Sequence, residues 1–359
     1  MATEWPELAY ADWSATCDTL HAHTQVLGKF AVALAPPEPQ LQHAALRLTA
    51  RGWESAPLPA PDGSGAVVVA LDLHTHEALV EHSDGRVRRT ALGPDRPVGE
   101  VTRELLDAVR DLVGAVEIDP TPQEVPWTVP LDEDHEHSTY DEGQVESYFA
   151  AATRAALVLA EFRAPYRGRS TPVHAWWGSF DLAVSLFSGA PAEPPSDDFI
   201  MRNAMDSQEI AVGWWPGDGR YGRAAFYAYA HPAPAGFADA TLEPADPPSD
   251  DFIMRNSMDS QEVAVGWWPG DPKYGRAAFY AYAYPAPDGF ADGKLSPPAA
   301  HWNADMGLFM LDWEDARSSA DPHAVALEFV HSAFHHACIV CEWDPALPAS
   351  AEGTPPPVA

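Results

Sequence analysis

Apolar residues recur at helical spacing in four stretches of this chain. Residues 10–34, 98–113 and 321–342 repeat them at intervals of three and four, which predicts helices. Residues 141–162 form the fourth stretch, with Asp141 as its expected N-cap. Shorter apolar runs predict strands over residues 44–51, 66–73, 78–81, 86–92, 174–187 and 308–312. This order of elements predicts an α+β fold of mostly antiparallel sheets flanked by helices.

The order helix, strands, helix occurs twice, and a faint symmetry accompanies it. Gly28 and Lys29 precede His43 and a strand, much as Gly168 and Arg169 precede His174. We therefore expect two pseudo-symmetric α+β halves, an N-terminal one over residues 1–139 and a C-terminal one over residues 140–345. The Pro-rich residues 346–359 are expected to be a disordered tail.

A tandem repeat is the strongest pattern in the sequence. Residues 194–242 and 247–295 are related by an offset of 53 and are identical at 41 of 49 positions. Solenoids stack several units, so two copies this similar indicate a recent duplication within a fold that needs one. Each copy places two strand-like runs around a Pro-Gly-Asp turn, which is typical of a β-hairpin. Two docked copies would add strands to a sheet, whereas an undocked copy would expose an edge that favours a homodimer.

The net charge of the chain limits the partners that it can bind. It has 21 Lys and Arg against 53 Asp and Glu, a formal charge of -32. This excess argues against nucleic acid as a partner, because phosphate binding needs clustered basic side chains. No apolar run reaches the ~18 residues that span a bilayer, and the first residues lack a signal-peptide pattern. Three cysteines are too few for a disulfide framework. We therefore expect a cytoplasmic protein without a membrane partner.

Long motifs of the chain resemble those of a bacterial cytoplasmic family known only as a domain of unknown function. They are Trp5-Pro-Glu-Leu-Ala-Tyr-Ala-Asp-Trp13, His21-Ala-His-Thr-Gln25 through Lys29, Pro172-Val-His-Ala-Trp-Trp-Gly-Ser-Phe-Asp-Leu-Ala183, and Phe279-Tyr-Ala-Tyr-Ala-Tyr-Pro285. The resemblance covers roughly residues 4–345 and implies a shared fold without an activity, substrate or cofactor. This chain departs from the family pattern by its second hairpin and by Gln208 and Gln261, where the pattern has His.

Two histidines and a carboxylate are the candidate chemical groups. We expect His43 and His174 to face each other across the join of the two halves, beside Glu262 or its copy Glu209. Two His and one carboxylate are the ligands of an open iron or zinc site, and the same groups can transfer protons. A divalent metal is therefore one expected cofactor. The alternatives are buried histidines bonded to backbone carbonyls and a solvent-exposed Glu262, since no HxD or HExxH spacing anchors the set.

An aromatic pocket between sheet and helices is expected around these groups. Its lining would be Gln25, Trp176, Phe180, Trp268 and Tyr282. Gln25 shares a helix face with His21. The acidic residues 132–137 indicate either a cation-binding loop or a solvated loop. Motifs of nucleotide-binding, P-loop and α/β-hydrolase proteins are missing.

Three function classes stay open on these observations. The favoured one is an enzyme acting on a small apolar or aromatic molecule through a His and carboxylate site. The others are a non-catalytic binding module with the same pocket, and an interaction protein that uses the duplicated hairpin.

Overall fold

The computed structural model describes residues 6–164, 166–233, 274, 276–283, 287 and 289–341, and the backbone of residues 262–268 and 284. Contacts divide the chain into two compact units, Met1–Pro244 and Ala245–Ala359. We call them unit 1 and unit 2. The division falls between the two hairpin copies, so each unit contains one of them.

Unit 1 begins with a long helix and an antiparallel sheet. Helix α1 spans Tyr10–Leu34, and a short 3-10 helix follows at Pro39–Ala44. The first sheet contains strands β1 Arg47–Leu48, β2 Gly52–Glu54, β3 Leu58–Pro59, β4 Ala66–Asp72, β5 Glu77–His82 and β6 Val87–Ala91. Its order is β1-β2-β4-β5-β6, with β3 also pairing with β4. Helices α2 Val98–Val113 and α3 Glu142–Arg163 come next, and Asp141 caps α3 by accepting from the Gln144 amide.

A second, four-stranded sheet completes unit 1. Its strands are β7 His174–Trp176, β8 Asp181–Pro191, β9 Ser207–Trp215 and β10 Ala225–His231, with helix α4 Phe199–Ala204 before β9. They pair antiparallel in the order β10-β9-β8-β7. Strand β7 ends at Trp176, and residues 177–180 turn the chain into β8. The predicted strand region 174–187 therefore contains two strands, and Phe180 in the turn between them takes a left-handed φ of 55°.

One hydrophobic core in unit 1 joins residues of the expected N-terminal half, 1–139, to residues at the start of the expected C-terminal half, 140–345. Trp53 and Leu71 of the first sheet, Leu27 of α1, Tyr148 of α3 and Leu182 of β8 all belong to it. Helix α1 explains this continuity, because every residue from Thr19 to Ala31 is buried. A helix that is buried all round must be surrounded by packed elements on every side.

Unit 2 is smaller and has a sheet of its own. Strands β11 Glu262–Trp268, β12 Ala278–Tyr284, β13 His301–Asn303 and β14 Leu308–Asp312 pair antiparallel in the order β11-β12-β14-β13. Helices α5 Trp313–Arg317 and α6 Pro322–Val340 follow β14. Phe329, Ala333 and Ala337 of α6 share a core with Phe309 and Leu311 of β14.

The α+β class with antiparallel sheets is therefore confirmed. Both copies of the repeat form hairpins in the same register, since Ala225 pairs with Trp215 and Ala278 with Trp268. The expected disordered tail, residues 346–359, lies outside the described residues. In the part of the chain that the structure describes, no helix is both long and apolar enough to cross a bilayer.

Candidate functional site

His174 is a buried histidine on β7. Its ring packs edge-on against Trp176 at 5.4 Å between centroids, and 6 % of the residue is exposed. Its Nδ1 has no hydrogen-bond partner among the described residues. Burial, with the charges of Arg47 and Arg163, lowers the pKa of His174 to about 4. The imidazole is therefore neutral at pH 7, which is the form that a metal ligand or a base requires.

His43 has a different neighbourhood. Its Nδ1 accepts a hydrogen bond of 3.0 Å from the Glu38 backbone amide, and burial lowers its pKa. An antiparallel bridge between Leu46 and Ala175 sets the local register, in which Arg47 lies opposite His174. No contact joins His43 to His174 in the described part of the chain.

The carboxylate of the predicted triad belongs to unit 2. The structure describes the backbone of Glu262 and Trp268 on β11, and their side chains lie outside the described residues. Among the described side chains, no three His, Cys, Asp or Glu converge as metal ligands. The set of His43, His174 and Glu262 stays a prediction, which metal analysis of the wild type and of His174→Ala would test.

Glu209, the copy of Glu262 in unit 1, is buried rather than at an exposed strand end. It is 7 % exposed and accepts a 3.3 Å hydrogen bond from the Tyr229 hydroxyl. Burial raises its pKa. In the second copy of the repeat, Tyr282 lies on β12 and stacks with Tyr280 at 6.4 Å, so both rings lie on one face of this strand.

Gln25 and Phe180 come together around His21 of α1. The Gln25 amide is held by the Gln123 backbone, donating to its carbonyl and accepting from its amide at 2.9 Å each. Phe180 stacks on the His21 ring at 4.8 Å. His21 Nε2 donates to the carbonyls of Trp177 and Gly178 at 2.8 and 3.0 Å. Gln25 therefore positions the loop at Gln123, and Phe180 belongs to a packed aromatic group.

That group is a row of rings running from the surface into the core. Phe180 also stacks on Trp53 at 5.3 Å and on Tyr148 at 5.1 Å, and the Trp53 indole donates to the Tyr148 hydroxyl. Toward the surface, His21 meets the edge of Trp127 at 5.2 Å. Phe180 is thus packed among other rings rather than at the wall of an open hollow, and Trp127 is the outer, half-buried end of the row.

A histidine and carboxylate pair stands at this outer end. His137 lies against Trp127 with 4.4 Å between ring centroids, and its Nδ1 donates to Asp134 Oδ2 at 2.6 Å. The Asp134 side chain is 3 % exposed and the His137 side chain 15 %. Since Nδ1 is held by the carboxylate, Nε2 is the atom left for proton exchange.

The loop that carries this pair is held tightly. Asp134 Oδ1 accepts from the backbone amides of Glu136 and His137 at 2.8 and 3.0 Å, which makes a turn of the intervening chain. The Gly99 amide at the start of α2 donates to the Asp134 carbonyl at 2.8 Å. A Cβ at Gly99 would lie 2.9 Å from that carbonyl oxygen, so the contact requires glycine.

Charges around the pair set its protonation. The hydrogen bond that His137 donates to Asp134, with the charges of Asp134, Asp18 and Glu136, raises the pKa of His137. Although burial acts in the opposite direction, the hydrogen bonds and charge of His137 keep the pKa of Asp134 below its usual range. Burial raises the pKa of Asp18, whose Oδ1 accepts from the Tyr10 hydroxyl at 3.0 Å. His137 therefore retains its proton more strongly than a free histidine, because it is hydrogen-bonded to Asp134 and attracted by the charge of Asp18.

We call Asp18, His21, Trp127, Asp134 and His137 the acid–base cluster. Chemically it offers one exchangeable proton at His137 Nε2 beside an aromatic surface, which is what a general acid or base needs. The sequence predicts a cation-binding or solvated loop at residues 132–137 and does not single out Trp127. The available signal was the Asp-x-x-His spacing, but the contact of this loop with α1 depends on packing between residues more than 100 positions apart.

Comparisons with known proteins identify the sequence family alone. A model for a family of unknown function, DUF5996, matches residues 5–248 and again residues 245–349. The two matches meet between the hairpin copies. No curated protein and no solved structure matches the chain.

Proposed function

The chain belongs to the DUF5996 family of unknown function, and on that premise we propose that unit 1 carries an acid–base site for a small aromatic or apolar molecule. The observation that carries the proposal is the 2.6 Å contact of Asp134 with His137 at the outer end of the aromatic row. The proposed function is still an enzyme that acts on a small molecule, as the sequence favours, but its acid–base groups are His137 and Asp134. The protein would work in the cytoplasm, where its free cysteines remain reduced.

In this proposal His137 Nε2 exchanges a proton with the bound molecule. Asp134 fixes the tautomer and orients the ring, because its carboxylate accepts the Nδ1 proton. Since the pKa of His137 is raised, the neutral, proton-accepting form predominates only at higher pH than for a free histidine. General acid–base catalysis of this kind contributes roughly 10²–10⁴ in rate.

Trp127 would supply the binding surface. It is half-buried between His137 and His21, so a planar ligand can stack on its exposed part while its reactive atom meets Nε2. The Asp18 carboxylate interacts electrostatically with His137 and would favour a molecule that carries a hydrogen-bond donor.

A deuterium-exchange assay tests this without knowledge of the substrate. Phenylacetone in D₂O is the probe, because a general base catalyses exchange of its α protons. We expect exchange above the buffer rate in the wild type, at least tenfold less in His137→Gln, and weaker saturation in Trp127→Ala. His135→Gln is the matched control, since it alters an exposed histidine of the same loop.

Two outcomes contradict the enzyme class. If the wild type and His137→Gln exchange the probe at the same rate, His137 is not the base. If ligand-observed NMR shows binding of phenylacetone that Trp127→Ala removes and His137→Gln does not, and exchange stays at the buffer rate, the chain is the alternative binding module.

A further inference from the structure

Two turns meet at one end of the first sheet. The turn between β3 and β4 carries Ser64, and the turn between β5 and β6 carries Ser83 and Asp84. The Ala66 amide donates to Ser83 Oγ at 3.1 Å, and the Ser83 amide donates to the Ala66 carbonyl at 2.9 Å. Gly65 has a φ of 146°, and a Cβ there would lie 2.3 Å from Ser83 Oγ, so the close approach of the turns requires glycine.

His82 links the two turns. It is the last residue of β5 and is 5 % exposed. Its Nε2 lies 3.1 Å from Ser64 Oγ, and its Nδ1 lies 2.9 Å from Asp84 Oδ1. A hydroxyl, an imidazole and a carboxylate thus follow one another in the order of a Ser-His-Asp catalytic triad. Such triads are recognised by geometry and occur on unrelated folds, so a missing α/β-hydrolase motif does not exclude one.

The carboxylate of this set is held in place. Arg86 donates to Asp84 twice, from its backbone amide to Oδ1 at 3.0 Å and from Nε to Oδ2 at 2.8 Å. The hydrogen bonds from Arg86 and from His82 hold the pKa of Asp84 below its usual range. The carboxylate is therefore ionised at neutral pH and can accept the His82 Nδ1 proton. In that tautomer Nε2 carries a lone pair and faces the serine hydroxyl.

The Ser64 hydroxyl is exposed and has two possible acceptors. Its Oγ lies 2.5 Å from Asp62 Oδ1 and 3.1 Å from His82 Nε2, but it has one proton to donate. When Nε2 is protonated, the ring donates to Ser64, which donates to Asp62, and the Asp84 amide donates to Nδ1 at 3.2 Å. When Nδ1 is protonated, Nε2 takes the Ser64 proton, and this second state makes Oγ a nucleophile.

We propose that Ser64, His82 and Asp84 form a second catalytic site, which hydrolyses small esters. Ser64 Oγ bonds to the ester carbonyl carbon while its proton passes to His82 Nε2, and the alcohol leaves with that proton. Water then attacks the acyl-serine and gives a proton to His82, which returns it to Ser64 Oγ as the carboxylic acid leaves. This activity goes beyond the acid–base cluster and does not depend on the function proposed for it.

The charge at the two turns indicates the substrate class. Asp62 and Asp84 are both exposed, and each is held as a carboxylate by hydrogen bonds that lower its pKa. Their charges lie within the two turns that flank the nucleophile and would repel an ester that carries a carboxylate or phosphate of its own. We therefore expect the site to accept uncharged or cationic esters.

A fluorophosphonate probe tests the nucleophile on the full chain. A serine that is activated by a base displaces fluoride from phosphorus, and mass spectrometry locates the labelled residue. We expect labelling at Ser64 that is about tenfold slower in His82→Gln and in Asp84→Asn. Ser188→Ala is the control, since this exposed serine donates to Gln208, and it should leave the labelling of Ser64 unchanged. Labelling confined to other residues, or equal rates in the wild type and Asp84→Asn, would overturn the proposal.

Asp62→Asn identifies the base. The amide oxygen of asparagine can still accept from the Ser64 backbone amide, which now donates to Asp62 at 2.9 Å, so the turn is retained. We expect labelling at least as fast as in the wild type, because the hydroxyl proton is then given to His82. If Asp62→Asn is slowed tenfold while His82→Gln is not, Asp62 is the base and the assignment to His82 is wrong. Circular dichroism verifies folding, and the exposed Asp84 provides the test if His82→Gln does not fold.

Turnover of an uncharged ester completes the test. The wild type should hydrolyse p-nitrophenyl acetate about tenfold faster than Ser64→Ala, with acetyl-Ser64 visible by mass spectrometry after an acid quench. Equal rates in the two proteins would show that Ser64 does not catalyse ester hydrolysis.

Discussion

Acid should destabilise unit 1 through the two buried histidines of α1. His21 and His23 are 9 % and 2 % exposed, and burial lowers the pKa of each to about 4. In the unfolded chain a histidine titrates near 6.5. The unfolded state therefore takes up a proton first as the pH falls, and stability is lost between about pH 6.5 and pH 4.

The magnitude follows from the two pKa values. At pH 5 the difference in proton binding lowers the free energy of unfolding by about 2 kcal/mol per histidine, and below pH 4 by about 3 kcal/mol. At pH 7.5 the effect is close to zero. Buried carboxyl groups with raised pKa, such as Asp181, act in the opposite direction over this range. The free energy of unfolding lost on acidification is compared between the wild type and a histidine variant, and the difference isolates the contribution of that histidine.

The assay is urea unfolding at pH 7.5 and pH 5. His21→Gln keeps a donor for the Trp177 carbonyl, and His23→Leu replaces a ring whose Nδ1 is unpartnered among the described residues. Between pH 7.5 and pH 5, the free energy of unfolding of each variant should fall by about 2 kcal/mol less than that of the wild type. Exposed His135→Gln should behave as the wild type. If all four proteins lose the same free energy, burial does not hold these imidazoles neutral and the reasoning fails.

Two packing contacts give further predictions. Gly28→Ala should lower the free energy of unfolding by ~1–3 kcal/mol, since its Cβ would lie 2.2 Å from the Trp177 ring, and an unchanged urea midpoint would contradict this close packing. Tyr148→Phe should cost ~1–3 kcal/mol by leaving the buried Trp53 indole without its 3.1 Å acceptor. In a double-mutant cycle with Trp53→Phe, additive losses would show that this hydrogen bond contributes nothing.

Local sequence signals determined much of the fold. Helix α2 spans the predicted residues 98–113, β14 the predicted residues 308–312, and α3 begins directly after its cap Asp141. These limits depend on periodicity and capping, which are properties of neighbouring residues. The shared core of unit 1 was not predictable in the same way, because apolar residues lie on every side of α1 and its pattern does not indicate which elements pack against it.

The candidate site shows the same limit. Asp134 and His137 are three residues apart, and their hydrogen bond is a local turn that the spacing allows. Their significance depends on Trp127 and His21, which meet only when the loop packs on α1. Hairpin formation was likewise local, but the assignment of the two copies to different sheets followed from their partners β8 and β14, which no pattern within the repeat encodes.

The most direct test of the acid–base site is the titration of His137. Long-range ¹H–¹⁵N NMR of the full chain, with assignment by His137→Gln, gives its pKa and its tautomer. We expect a pKa above 6.5 with the Nδ1 proton held toward Asp134, and a clear fall of that pKa in Asp134→Asn. A pKa that is the same in the wild type and in Asp134→Asn would contradict the pairing of these residues and remove the basis of the proposed chemistry.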